Sequence, residues 1–256
     1  MRELRINTEG KSYVYQLPEN YAEMDERQYR AAMLKMMHMS EVSTFWESFV
    51  GMPHRFCTSL PEWVLHEMDK MLEFIPKLDE RIDRFFFERL PIRGTLRKSR
   101  FIAPEPMLGN MSLQQFMTTD NFFSYYTVTQ REAFIDRMIA SLYLKPHETF
   151  VIEDKKDRLV PLEERSHYIH NHVTVEVRFG VFVNWIFIKN WLSKAFPHLF
   201  KRGKSDGKPQ ASDWLPLFDS FVGDNIPFIK DYQRMLCMDA FRIIDGKIKQ
   251  QEALKK

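Results

Sequence analysis

Apolar residues recur every three or four positions along most of this 256-residue chain, the spacing that gathers side chains on one helix face. The exception is the start. Leu4 and Ile6 alternate with charged neighbours, Glu9-Gly10 carries turn chemistry, and residues 12–17 supply Tyr13, Val14 and Tyr15. That pattern predicts a short β-hairpin, ended by Pro18. From residue 24 to 39, Tyr29, Ala32, Met33, Met36 and Met37 share one face, a methionine stripe expected in the core. A second helix over residues 42–50 is stopped by Gly51 and Pro53. A third is read from Ser59, three residues before Glu62 with Pro61 inside the first turn, and carries Trp63, Val64, Met68, Met71, Leu72 and Ile75 at helical spacing. Pro76 kinks or divides it, and Leu78, Ile82, Phe85, Phe86 and Leu90 continue a helical pattern up to Pro91.

Two start boxes follow, Ser112-Leu113-Gln114-Gln115 and Thr129-Gln130-Arg131-Glu132. In such a box the hydroxyl accepts a hydrogen bond from the third helical N–H and the Gln or Glu returns one. They predict a helical hairpin. One apolar face holds Leu113, Phe116, Phe122, Phe123 and Tyr126, the other Phe134, Ile135, Met138, Ile139 and Leu142, and Lys145-Pro146 closes the pair. A polar connector over residues 153–158 leads through Pro161 to a long apolar element ending near Phe196-Pro197. A helix is expected there, although its β-branched start, residues 173–177, also reads as a strand. Residues 201–210 concentrate Gly, Pro and Lys without periodicity and read as a flexible, partner-contacting loop. Beyond them, Ser212-Asp213-Trp214 begins a short helix and Pro227 opens a final one carrying Phe228, Tyr232, Met235, Leu236, Ala240, Ile243 and Ile244, with residues 250–256 expected to fray.

Nine Gly, fifteen Met and twenty-two Phe favour long elements over a loop-rich sandwich, and a hydrophobic fraction of 44% suffices for a core. The expected fold is mostly α, a multi-helix single domain with a short N-terminal β-hairpin. Its parts are the hairpin (1–20), a main helical domain (21–200), a basic flexible loop (201–211) and C-terminal helices packed on the main domain (212–256). Cys57 and Cys237 are too few for a disulfide framework and read as buried thiols. Met1-Arg2-Glu3-Leu4-Arg5 lacks the apolar run of a secretory signal. Residues 173–192 are interrupted by Glu176, Arg178, Asn184 and Lys189, and each charge near a bilayer centre would cost roughly 2.5–3.5 kcal/mol. The segment is therefore read as core, with no membrane association.

Candidate chemistry is sparse. His167, His170 and His172 form the one metal-site candidate, since His167 and His170 share a helix face and imidazole nitrogens suit zinc. His172 falls elsewhere on a helix, and on a strand it would pair with His170 instead. The bland reading is a set of polar histidines at the head of a helix, and no cofactor is expected. Gly203-Lys204-Ser205 lacks the earlier glycine of a phosphate loop, because His198 stands there. Arg81, Arg84 and Arg89 alternate with Asp79, Glu80, Asp83 and Glu88, as on a solvated, ion-paired helix face. A net charge of +2 implies no nucleic-acid binding by itself. A local contact would use Arg93, Arg97, Lys98 and Arg100 together with Lys201, Arg202, Lys204 and Lys208, provided the two segments meet.

Several stretches carry a family likeness: Leu17-Pro18-Glu19-Asn20-Tyr21, then Met24-Asp25-Glu26-Arg27-Gln28-Tyr29, the hairpin over residues 113–144, and the helix containing Trp214. Over most of its length the chain resembles a group of helical structural or tail-assembly proteins of tailed phages and prophages of Bacteroidetes-type bacteria. The resemblance implies a virion or assembly role, without catalytic residues to carry over. The expected function is thus a non-enzymatic interaction component with no small-molecule substrate. Its partners would be other phage structural or assembly proteins, or further copies of itself in a homo-oligomer, in the host cytoplasm during assembly or in the virion. Two alternatives stay open: a DNA-contacting phage component using residues 93–100 and 201–208, and a metal-dependent enzyme at the histidine cluster.

Overall fold

The computed structural model describes residues 1–8, 10–93, 100–150, 160–200 and 214–254, and it begins with the hairpin that the alternation predicts. β1 (Arg2–Thr8) and β2 (Lys11–Leu17) pair antiparallel, Leu4 opposite Tyr15 and Ile6 opposite Tyr13. Gly10 takes φ +80° in the turn, where a Cβ would be strained. The chain is mostly helical thereafter and divides into two compact units, Met1–Glu80 and Arg81–Lys256. That boundary falls inside the 21–200 segment read from sequence as one helical body.

In the first unit, α1 (Glu26–Met36) opens on a reciprocal capping box. Gln28 N–H donates to Asp25 Oδ1 at 2.7 Å, and Asp25 N–H to Gln28 Oε1 at 3.1 Å. α2 (Val42–Val50) ends at Gly51, left-handed at φ +74°, as the sequence predicts. Two departures follow. The stretch after Pro53 is itself a helix, α3 (His54–Ser59), and Ser59 is its last residue. Its hydroxyl donates to the Phe56 carbonyl at 2.7 Å, so it caps nothing ahead, and Pro61 stands at the N-cap of α4 (Glu62–Lys70) instead of inside its first turn. The core comprises Leu4, Ile6, Tyr29, Met33, Trp46 and Phe49 among others, with Met36 and Met37 of the methionine stripe only half-buried.

In the second unit the helical pattern read over residues 78–90 is a correction. The chain there is irregular, yet Ile82, Phe85, Phe86, Phe87 and Leu90 are all buried. The segment runs as an irregular strap held by side chains from elsewhere in the unit. Its backbone groups are matched singly. Asn184 accepts from Phe86 N–H at 2.8 Å and donates to the Arg84 carbonyl at 3.0 Å, and Tyr143 O–H donates to the Phe87 carbonyl at 2.8 Å. Glu88 and Leu90 pair with Ala103 and Phe101.

α5 (Leu113–Thr129) and α6 (Glu132–Leu142) form the expected hairpin. Ser112 caps α5, accepting from Gln115 N–H at 3.1 Å, but the Gln115 amide turns inward to the carbonyls of Ser141 and Leu142. The second box does not form: Thr129 is still inside α5, its hydroxyl donates to the Tyr125 carbonyl, and Arg131 precedes α6 without a side-chain cap. α7 (Val160–His172) and α8 (Val175–Ala195) follow, which resolves the helix-or-strand ambiguity of residues 173–188 in favour of helix. α8 is buried nearly all round and is interior, as its composition predicts; among the described residues no helix is long and apolar enough to cross a membrane. The final helix is two, α10 (Ile229–Arg234) and α11 (Cys237–Leu254), after the short α9 (Leu215–Val222). The break arises because Met235 and Cys237 bond to the backbone of Leu113 and Met111. Residues 250–254 stay helical, and both cysteines are buried thiols.

Replacing Asn184 by Leu keeps the volume but leaves the Phe86 N–H and Arg84 carbonyl without that partner. We expect a loss of about 3 kcal/mol in urea unfolding, from two backbone groups deprived of the Asn184 amide. A loss under about 1 kcal/mol would mean water or a backbone shift takes over the role.

Candidate functional site

Two buried carboxylates organise the second unit. Asp120 of α5 is 1% exposed and accepts from Lys189 Nζ at 2.7 Å, Trp185 Nε1 at 3.1 Å and Trp214 Nε1 at 2.9 Å. Burial alone would push its pKa up, but the Lys189 ammonium and the three hydrogen bonds outweigh that and hold the carboxyl below its ordinary value. Rings of Phe116, Phe200, Trp214 and Phe241 close around this centre. Asp136 of α6, equally dry, lies 2.8 Å from His170 Nδ1 and 3.1 Å from the Arg178 guanidinium. Both are satisfied cores of charge, with few atoms left to offer a ligand.

The histidine cluster lies at the C-terminal end of α7, not at the head of a helix as the sequence suggests, and it does not converge. His170 is held by Asp136, His167 faces Asn171 at 3.1 Å, and His172 stacks on Tyr168 at 4.2 Å and sits 2.9 Å from its carbonyl. Among the described residues no group of three His, Cys, Asp or Glu could hold a metal. A histidine braced by a carboxylate is the geometry of a general base. Yet His170 lines neither cavity described in this unit, each of about 210 Å³, one walled by Phe123, Ile186 and Lys189, the other by Phe85, Ile102 and Pro106. Of the basic candidates, Arg93 and Arg100 are exposed. Arg97, Lys98, Lys201, Arg202, Lys204 and Lys208 lie outside the described residues, as do the 201–210 loop, the 153–158 connector, Ser212 and Asp213.

The first unit holds a groove of about 420 Å³ between β1 and α4, within the usual range for ligand sites. β1 contributes Arg2, Leu4, Arg5, Ile6 and Asn7; α4 contributes Trp63, Val64, Glu67, Met68 and Lys70, with Met71 just beyond. The helix side has a simple origin. Val64, Met68 and Met71 form the inward stripe, whereas Trp63 repeats with Glu67 and Lys70 on the solvent side and is 70% exposed. The apolar spacing alone groups Trp63 with the inward residues. The overlooked signal was its interval of four and seven from two charged residues.

No protein-family model matches the chain, and no curated protein or solved structure matches it either. The groove must therefore be interpreted from its own chemistry. The indole of Trp63 stands in water at the rim of a groove that sets Leu4, Ile6, Val64, Met68 and Met71 beside Arg2, Arg5, Asn7, Glu67 and Lys70.

Replacing Lys189 by Met should strand Asp120 as an unpaired buried anion and cost about 3–5 kcal/mol at neutral pH. The sign with pH is definite. In the parent, a depressed folded pKa gives stability that is present above the unfolded value near 4 and lost as pH falls through the folded one. In the variant burial raises the pKa, so Asp120 takes up a proton on folding and the penalty shrinks as pH falls. Urea unfolding at pH 7 and 5 tests this; an equal penalty at both would refute the charge pairing.

Proposed function

We propose that this chain is a non-enzymatic protein–protein interaction component that takes up a segment of another protein in the groove between β1 and α4. The resemblance to helical phage proteins adds the setting, a structural or tail-assembly role in a tailed phage. The observation that carries the reading is Trp63. Trp46 and Trp185 are fully buried, but Trp63 stands 70% exposed beside the aliphatic floor of Leu4, Ile6 and Met68. Tryptophan is enriched among residues that dominate binding energy, and covering it with a partner removes a large apolar surface from water. Among the described residues, the DNA-contacting and metal-enzyme alternatives have no comparable feature in their favour.

The test places a photo-crosslinking phenylalanine analogue at position 63 and, separately, at Leu254, which is 88% exposed on α11. In cells that assemble the particle, position 63 should give one defined protein adduct and position 254 none. Equal labelling from both positions, or none from 63, would refute the reading.

A further inference from the structure

The groove has a second property that specifies what enters it. Successive residues of a strand point to opposite faces, so a cavity touching only one face would meet Leu4 and Ile6 or Arg5 and Asn7, not both sets. This one meets both, and no residue of β2 lines it. It therefore runs along the edge of β1 that faces away from β2, the only strand β1 pairs with among the described residues. In an antiparallel ladder every second residue turns its N–H and C=O away from its partner strand. Along β1 those groups face the groove.

We infer that the groove binds an extended acidic segment of another protein, added as a third strand beside β1, with apolar side chains at alternate positions. This rests on the interaction reading above. A strand placed there would lie about 4.8 Å from β1. Its alternate side chains would meet Leu4 and Ile6 on one side and Val64, Met68 and Met71 on the other, beneath Trp63. The charge selects the intervening residues. Arg2, Arg5 and Lys70 line the groove against Glu67 alone. Arg5 pairs with Glu3 and Lys70 with Glu67, both at 2.7 Å and with all four side chains exposed, contacts that a partner carboxylate can replace at little cost. A second copy of β1 would bring its own Arg2 and Arg5 into the same basic groove, so the segment comes from a different protein.

Three synthetic peptides test this with the full chain: one alternating glutamate with valine, one of the same composition with the valines in a block, and one alternating lysine with valine. The alternating acidic peptide should bind, weaken as salt rises, and slow amide hydrogen exchange in residues 2–8. The combined Arg2→Glu and Lys70→Glu variant should bind it about tenfold more weakly, while its far-ultraviolet circular dichroism stays unchanged. Equal binding of the blocked or lysine peptide, or unchanged exchange in β1, would overturn strand addition, and a dimer of the chain that the peptide disrupts would overturn the assignment to a different protein. An adduct at position 63 alongside a failed peptide would remove this inference and leave the interaction reading intact.

Discussion

Asp120 is a carboxylate almost without water, and the second unit is arranged so that this is tolerable. A lone buried anion would cost several kcal/mol or take up a proton. Here Lys189 supplies the opposite charge from the next-to-last turn of α8, and two indole N–H groups donate one bond to each carboxylate oxygen. The three donors come from α8 and from the residue just before α9, so one side chain fixes where α5, α8 and the C-terminal part meet. The surrounding aromatic rings exclude the water that would otherwise compete for those bonds. Asp136 repeats the device on α6, with Arg178 and His170 as its partners.

Much of the fold is legible in the sequence where a local rule and the tertiary environment agree. The hairpin follows from alternation around Gly10, α2 from its glycine stop, and α8 from a run too apolar to face solvent. The capping signals fared unevenly, and the reason is physical. A Ser or Thr caps only if the chain enters a helix at that residue. Thr129 and Ser59 are each the last residue of a preceding helix, so their hydroxyls turn back to a carbonyl within it. The reciprocal box is Asp25 with Gln28, at the start of a helix that apolar spacing predicts without pointing to its cap.

The strap over residues 82–90 shows where sequence periodicity ends. Its apolar spacing fits a helix, yet its shape is set by Asn184 and Tyr143, far along the chain, which nothing within the strap foretells. The groove is similar. Trp63 is an ordinary helical residue until β1 is seen to leave an edge open beside it, because a strand's pairing partner cannot be read from the strand alone.

The strap also bears on how the chain is made. Phe86 precedes Asn184 by 98 residues and Phe87 precedes Tyr143 by 56, so the segment emerges long before the side chains that hold it. At about 5–20 residues per second, the wait for Asn184 is on the order of 5–20 s. Throughout it, three consecutive phenylalanines have no α8 to cover them. The same run that seals the finished unit is thus, on the ribosome, an apolar stretch that waits for its cover.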